Sequence, residues 1–129
     1  TSFNELKREG SEVERWNRLN PERKEKVPYV SSLLSKSSNP VIAATDYVKS
    51  YPEQIRPFID QPYTCLGTDG FGRSDTRENL RSFFEVDKYH IAYAALYALY
   101  KDSRIEKKQV IKALNKFDID QQSKNPSTR

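Results

Sequence analysis

A glycine-rich loop is the part of the chain whose residue types and spacing could do chemistry. The short apolar run 63–66 is followed by the stretch GTDGFGR, and a helical pattern begins soon after it. A strand, a glycine loop and a helix together often hold a phosphate, because N–H groups at the helix N-terminus attract anions. The candidate site residues in this loop are Gly67, Asp69, Gly70, Phe71, Gly72 and Arg73.

The detailed pattern of the loop argues against a bound cofactor. Its glycines follow the order G-x-x-G-x-G, whereas the dinucleotide fingerprint is G-x-G-x-x-G, and no P-loop lysine follows. Asp69 and Asp75 bring negative charge to the same place, and Asp75 is the predicted helix cap. We therefore interpret the loop as a glycine-dependent turn in which Phe71 and Arg73 contact another domain or subunit. Anion binding at the loop remains the alternative.

The single cysteine and the single histidine limit the other chemistry that the chain could perform. Cys65 lies in an apolar run, which favours a buried and inert thiol over a nucleophile. His90 falls inside a helical pattern, where it could form an acid–base pair with Tyr89 or Tyr93. We favour a surface or interfacial histidine, and we predict that no catalytic, cofactor-binding or metal-binding residue lies in this chain.

The elements that would position the loop form a small α/β domain. The continuous apolar runs 41–44 and 63–66 are typical of parallel strands buried on both faces. A helix capped by Thr45 or Asp46 is predicted between them. Upstream, two capping boxes predict short helices at about 2–9 and 11–20, broken by Gly10.

Three further helices are predicted after the glycine loop, with caps at Asp75, Asp87 and Ser103. The middle one has an apolar stripe that predicts a clean amphipathic face. Tyrosines cover another broad side of it, which we interpret as a contact surface for more protein. These tyrosines are Tyr89, Tyr93, Tyr97 and Tyr100. Residues 120–129 are predicted to be a frayed polar tail.

Several features predict that the chain is one partial domain, residues 1–129, of a longer protein. It contains no methionine, and Thr1 stands immediately before a capping position. Two strands are too few for a stable parallel sheet with covered faces. We therefore expect further strands before Thr1. No apolar run approaches the roughly 18 residues that a membrane span needs, so we expect no membrane partner.

The net charge of +4 comes entirely from the C-terminal part of the sequence. Residues 1–100 carry 14 basic and 14 acidic side chains, whereas residues 101–129 carry 8 and 4. This excess leaves open a small basic module that binds nucleic acid or an acidic protein. A solvated helix face explains the same lysines, and aromatic residues do not alternate with them. They are Lys107, Lys108, Lys112 and Lys116.

Four stretches of the sequence together resemble a known enzyme family. They read TSFNELKREG…ERWN, VIAATDY, LGTDGFGRSDTRENLRSFFEVD and IEKKQVIKALNKFDID. In this order they are similar to the C-terminal end of the large, homodimeric type of pyruvate dehydrogenase decarboxylating component. The third stretch is long and specific, well beyond a generic glycine loop. The resemblance implies a transketolase C-terminal-like α/β fold, a small and mostly parallel sheet flanked by helices, here lacking its first strands.

The resemblance also implies a function for the parent protein. Members of the family use thiamine diphosphate and magnesium to decarboxylate pyruvate in the bacterial cytoplasm, and they acetylate the lipoyl group of the dihydrolipoyl acetyltransferase. Their cofactor ligands and catalytic histidines lie upstream and match no position here. We therefore expect a non-catalytic assembly domain whose partners are the remaining domains, the homodimer partner and, through the parent, the acetyltransferase core. We expect no nucleic acid partner, and the isolated chain should be inactive.

Overall fold

A computed structural model describes residues 2–69 and 75–128 of the chain. The predicted α/β class is confirmed, with a small parallel sheet and several helices. In chain order the elements are α1 (Phe3–Leu19), α2 (Tyr29–Leu34), β1 (Val41–Ala44), α3 (Ser50–Glu53), β2 (Tyr63–Leu66), α4 (Arg77–Phe83), α5 (Lys88–Lys101) and α6 (Lys107–Lys116). Short 3₁₀ turns lie at Arg56–Phe58 and Pro126–Thr128.

The two strands pair in parallel, with Val41 opposite Tyr63 and Ala44 opposite Leu66. Both predicted strands are confirmed at the residues where the apolar runs placed them. Their predicted burial on both faces is wrong, because Val41–Ala43 are only half-buried and Ala44 is exposed. Because the strands are parallel, the loops that follow β1 and β2 leave the sheet at the same edge. We call this edge, with residues 45–49 and 67–69, the carboxyl edge.

The main core lies on one face of the sheet. Tyr63 and Cys65 are buried on that face, whereas the alternate residues Thr64 and Leu66 are half-buried, as alternation along a strand requires. The side chains of α1 and α2 complete this core together with the segment after α3. Its buried members are Val30, Ile55, Phe58, Ile59, Tyr63 and Cys65. Helix α5 packs against both strands and contributes nothing to this cluster, so we place it on the opposite face.

The predicted break between two N-terminal helices is wrong. One continuous helix, α1, runs through Gly10, and Ser11 lies in its interior rather than at a cap. Ser2 does cap the helix, since its hydroxyl accepts a hydrogen bond from the Glu5 N–H at 3.1 Å. Gly10 is buried because the ring of Phe58 packs against it, which leaves no room for a larger side chain.

The connection between the strands is more compact than its pattern predicts. Neither Thr45 nor Asp46 caps α3, whose N-cap position is Lys49 and which has no side-chain cap. A four-residue helix and a 3₁₀ turn replace the single helix expected there. Pro52 in α3 is fully buried, and its carbonyl accepts a hydrogen bond from the Tyr63 hydroxyl at 2.7 Å.

The caps of the last three helices are partly as predicted. Asp87 caps α5 through a hydrogen bond from the His90 N–H at 2.9 Å, which confirms that prediction. The other two caps are wrong. Thr76 rather than Asp75 caps α4, and Glu106 rather than Ser103 caps α6, where it forms a capping box with Gln109.

The apolar surface of α5 is only partly covered. Its predicted inward stripe is half-buried throughout, and Ala98 is the one fully buried residue of the helix. The expected clean amphipathic face is therefore wrong, because apolar residues surround the helix. A helix that is hydrophobic on all sides normally lies buried in a larger protein.

The expected fraying of the polar tail, residues 120–129, stays a prediction, although residues 120–128 form local turns. Hydrogen bonds to the Asp120 and Asn125 oxygens shape a turn at 120–123 and a 3₁₀ turn at Pro126–Thr128. Within the described ranges, every helix is too short or too polar to cross a membrane.

Candidate functional site

The two loops at the carboxyl edge are joined by hydrogen bonds. The Thr68 N–H donates to the Tyr47 carbonyl at 2.9 Å, and the Thr68 hydroxyl donates to the Asp46 carbonyl at 2.8 Å. Just before them, the Thr45 N–H donates to the Leu66 carbonyl at 3.0 Å and extends the ladder of the sheet. The start of the glycine loop is therefore fixed to the loop that follows β1.

Gly67 is buried where these loops come together. A Cβ atom at this position would lie 2.8 Å from the Tyr47 carbonyl oxygen and 2.9 Å from the Lys49 backbone nitrogen. Both neighbours are backbone atoms in a hydrogen-bonded segment, so they cannot move aside cheaply. Close packing of backbone against backbone, and not a left-handed φ angle, is what requires glycine here.

Asp69 uses its carboxylate inside the fold. Its Oδ1 accepts a hydrogen bond from the Lys49 N–H at 2.7 Å, which satisfies a free donor at the start of α3. The carboxylate is partly buried and ties the end of the described loop to α3. This geometry supports a structural role for Asp69 over a role as a metal or substrate ligand.

The remainder of the predicted loop site, Gly70, Phe71, Gly72 and Arg73, lies outside the described residues. Its proposed contacts with another domain or subunit, and the alternative of an anion site, therefore stay predictions. The helix that follows is capped by Thr76, whose hydroxyl accepts a hydrogen bond from the Asn79 N–H at 3.2 Å. Asp75 accepts in turn from the Thr76 N–H at 2.7 Å.

A cavity of about 720 Å³ opens between the carboxyl edge and the beginnings of α4 and α5. Beside the cavity, Arg81 of α4 donates a hydrogen bond at 3.0 Å to the carboxylate of Asp46, which follows β1. This hydrogen bond lowers the pKa of Asp46 below its usual value. Charges of both signs line the cavity in balance: Arg77, Arg81 and Lys88 stand beside Asp46, Glu78 and Asp87. A lining with balanced charges does not favour a ligand of either charge.

His90 pairs with an acid that the sequence interpretation had not connected to it. The His90 Nδ1 lies 2.7 Å from the Asp87 Oδ1, and both side chains are 19% exposed. Tyr89 and Tyr93, the partners considered from the sequence, have no hydrogen bond to His90 in the structure. The sequence could have predicted this pair, because a cap aspartate and a histidine three residues later face each other on the first turn of a helix. The contact between His90 and Asp87 therefore follows from the role of Asp87 as the cap of α5.

Cys65 is buried in the main core, as predicted. Burial raises the pKa of its thiol, which disfavours the nucleophilic thiolate. Nearby, Arg56 donates to the Tyr63 carbonyl at 2.8 Å and pairs with the Glu53 carboxylate. The described part of the chain contains no group of three His, Cys, Asp or Glu side chains that could hold a metal ion.

The tyrosines of α5 form a chain of ring contacts. The rings of Tyr93 and Tyr97 are stacked with centroids 6.3 Å apart, and those of Tyr97 and Tyr100 lie 6.1 Å apart. Tyr89 contacts Phe117 of the following segment at 5.8 Å. Tyr97 remains 46% exposed and Tyr89 44% exposed, so a large aromatic surface faces outward.

The lysines of α6 are exposed, as a solvated helix face requires. Lys108 pairs with Glu106 at 3.0 Å. The helix buries its opposite side through Val110 and Ala113. No nucleic acid or protein partner for this face is assigned by the geometry.

Comparison with known proteins identifies close relatives. A family model described as the transketolase-like TK C-terminal domain matches residues 1–87. A pyruvate dehydrogenase E1 component of Pseudomonas aeruginosa is 53% identical over 97% of this chain, and one of Cupriavidus necator is 50% identical over 97%. One of Escherichia coli K12 is 48% identical over 98%. The chain spans 14% of the length of each of these relatives.

Proposed function

Because the chain belongs to the transketolase-like C-terminal domain family, we propose that it is the assembly domain of a pyruvate dehydrogenase E1 component. In this role it performs no chemistry and supports the dimer and the architecture of the active site. The observation that carries the proposal is the identity of 48–53% to these enzymes over nearly the whole chain. The parent enzyme decarboxylates pyruvate and passes the acetyl group to the lipoyl group of the dihydrolipoyl acetyltransferase in the bacterial cytoplasm.

Two features of the structure support an assembly role. The polar groups described at the carboxyl edge bind one another, since Asp69 and Thr68 are used by the neighbouring loop. The apolar side of α5 is left half-covered, with Tyr89 and Tyr97 outward. An internally satisfied edge and an uncovered apolar helix fit a domain that packs against other domains of its subunit or against a second subunit.

The cofactor chemistry belongs to other parts of the parent. Thiamine diphosphate and magnesium would supply the carbanion chemistry of decarboxylation when bound there. We assign no ligand of either group to this chain. Titration of the purified 129-residue chain with thiamine diphosphate and Mg²⁺ in a calorimeter should give no saturable heat. Micromolar binding would contradict this part of the proposal.

A chimaera tests the assembly role directly. The segment of the Pseudomonas aeruginosa relative that matches this chain is replaced by residues 1–129, and a second variant lacks the segment altogether. We expect the chimaera to form dimers and to release CO₂ from pyruvate at a rate within about tenfold of the unmodified enzyme, since volume-conserving exchanges of packed residues are usually tolerated. The deletion should lose the dimer, measured by light scattering. A deletion variant that stays dimeric and active would overturn the assembly role.

A second candidate function rests on the exposed lysines of α6. Lys107, Lys112 and Lys116 are all exposed, and they could attract nucleic acid or an acidic protein. A DNA mobility shift whose affinity falls steeply with salt would favour this function. The chimaera distinguishes the assembly role from this second function, because a nucleic acid module would not restore pyruvate decarboxylation.

A further inference from the structure

We propose that the C-terminal tail, residues 120–128, is a detachable cover over the carboxyl edge. The tail leaves α6, passes the end of α4 and reaches the loop that follows β2. There it forms one wall of a cavity of about 270 Å³. The tail residues in this wall are Ser123, Asn125, Pro126 and Ser127.

The opposite wall of the cavity is the hydrogen-bonded part of the carboxyl edge. It includes Gly67, Asp69 and Lys49, the residues at which the two loops are joined. Leu66 at the end of β2 and Phe84 after α4 close the sides. The tail therefore faces the described start of the glycine loop, residues 67–69, across this cavity.

The tail is shaped by its own hydrogen bonds. The Ser123 hydroxyl donates to the Asp120 carbonyl at 3.0 Å, and the Ser127 N–H donates to the Asn125 Oδ1 at 3.0 Å. The Thr128 N–H donates to the Asn125 carbonyl at 2.9 Å. These bonds preform a compact segment and would survive its departure from the loop.

Little apolar surface holds this segment in place. Within residues 120–128, Ser123 and Pro126 are half-buried and the other side chains are exposed. Segments with few buried apolar contacts open with a free energy far below that of global unfolding. The tail should therefore leave and return while the sheet stays folded. Its departure would open the described part of the carboxyl edge to solvent, and this holds independently of the proposed function.

Amide hydrogen exchange of the 129-residue chain tests the cover. Two amides report on the edge: Lys49, which donates to Asp69, and Thr68, which donates to Tyr47. Removal of residues 120–129 should speed exchange at both by about tenfold, because a local opening equilibrium becomes easier. The Val41 amide, which donates to the Pro62 carbonyl at the other end of the sheet, should not change. Equal acceleration at Val41, or none at Lys49 and Thr68, would overturn the proposal.

A point variant and a peptide keep the test independent of truncation. The double substitution Asn125→Ala with Ser127→Ala removes the side-chain hydrogen bonds of the 3₁₀ turn, and should accelerate the same two amides by a smaller factor. The exposed Gln121→Ala is the matched control and should change neither amide. A synthetic peptide of residues 118–129, added at millimolar concentration to the truncated chain, should restore protection. A scrambled peptide that protects equally well would overturn the proposal.

Discussion

Two glycines are buried at places where another part of the chain comes within contact distance. At Gly67 the neighbour is backbone, the Tyr47 carbonyl and the Lys49 nitrogen, and at Gly10 it is the ring of Phe58. The sequence pattern predicted a special role for Gly67 because it lies in a glycine-rich loop. It read Gly10 as a helix break, since local propensity carries no information about a ring 48 residues away along the chain.

Substitution of Gly10 by alanine should destabilise the chain, although alanine is the better helix former. The added methyl would lie 2.6 Å from two ring carbons of Phe58, a residue that is only 4% exposed. We expect the free energy of unfolding to fall by about 1–2 kcal/mol. Overpacking costs about 1–3 kcal/mol, and the higher helix propensity of alanine offsets up to about 1 kcal/mol of that cost. Urea unfolding measures the difference. Ser11→Ala on the exposed side of α1 is the control and should be neutral or stabilising; an equal gain in both variants would contradict the packing argument.

The ion pair between Glu53 and Arg56 should make stability depend on pH in the acid range. The Arg56 guanidinium donates to both carboxylate oxygens and lowers the pKa of Glu53 below its usual value. A lowered folded-state pKa stabilises above the unfolded-state pKa, and that stabilisation is lost as the pH falls through the folded-state value. Because both side chains are more than a third exposed, we expect Glu53→Gln to cost only about 0.5–1 kcal/mol at pH 7.

The contribution of this pair should be lost as the pH falls below the unfolded-state pKa of Glu53 and through its lower folded-state pKa. Thermal unfolding of the two proteins across that range provides the measurement, with the exposed Glu22→Gln as control. A difference between wild type and Glu53→Gln that is constant from pH 7 to pH 3 would show that the carboxylate charge is not its cause.

The helices of the second half all end in the same way. After α4, α5 and α6 the chain adopts a left-handed conformation at Glu85, Ser103 and Asp118, with φ of 61°, 60° and 52°. In each case the following N–H returns to a carbonyl five residues earlier, as in Arg104 to Leu99 at 2.9 Å. Glycine usually occupies this position, because it has no Cβ penalty there. Because no glycine stands at these positions, the sequence did not indicate where the helices end. The cap of α6 was therefore predicted at Ser103, three residues before the observed cap Glu106.

Replacing Ser103 by glycine should stabilise the chain by about 0.5–1 kcal/mol, because the left-handed conformation strains a residue that has a Cβ atom. The same exchange at Ser11, in the helical conformation of α1, should instead destabilise by about 0.5 kcal/mol. Chemical unfolding of both variants tests the sign at each position. If Ser103→Gly and Ser11→Gly lower stability alike, the strain at the end of α5 does not contribute.

Helix starts were predictable where one capping residue stands alone. Asp87 has no competitor nearby and was placed correctly. At α4 two adjacent residues, Asp75 and Thr76, can both cap, and at α6 both Ser103 and Glu106 can. Choosing between such candidates depends on where the preceding helix ends, which tertiary packing decides.

For the whole molecule, the sequence predicted the fold class and both strands, because continuous apolar runs are a strong signal for a buried parallel sheet. It predicted the surface of α5 less well. An amphipathic stripe was expected, yet residues such as Leu96 and Leu99 are half-buried while Tyr97 on another side is exposed. Under the proposed function α5 meets other domains, and its helical pattern would then record both the core of this chain and the surface that those domains cover. Sequence periodicity does not separate the two.

The uncovered side of α5 should matter more in an assembled protein than in the isolated chain. In the 129-residue chain, Tyr97→Ser removes ring contacts with Tyr93 and Tyr100 and should cost about 0.5–1.5 kcal/mol. In the Pseudomonas chimaera the same change should cost about 3 kcal/mol or more, the loss typical of truncating a fully buried aromatic side chain. Thermal unfolding and light scattering of both proteins measure the difference. Lys101→Ser, exposed at the end of α5, is the control and should have the same small effect in both contexts. An equal cost for Tyr97→Ser in the two proteins would mean that α5 faces solvent in the assembly as well, and that another surface of the domain joins it to its partners.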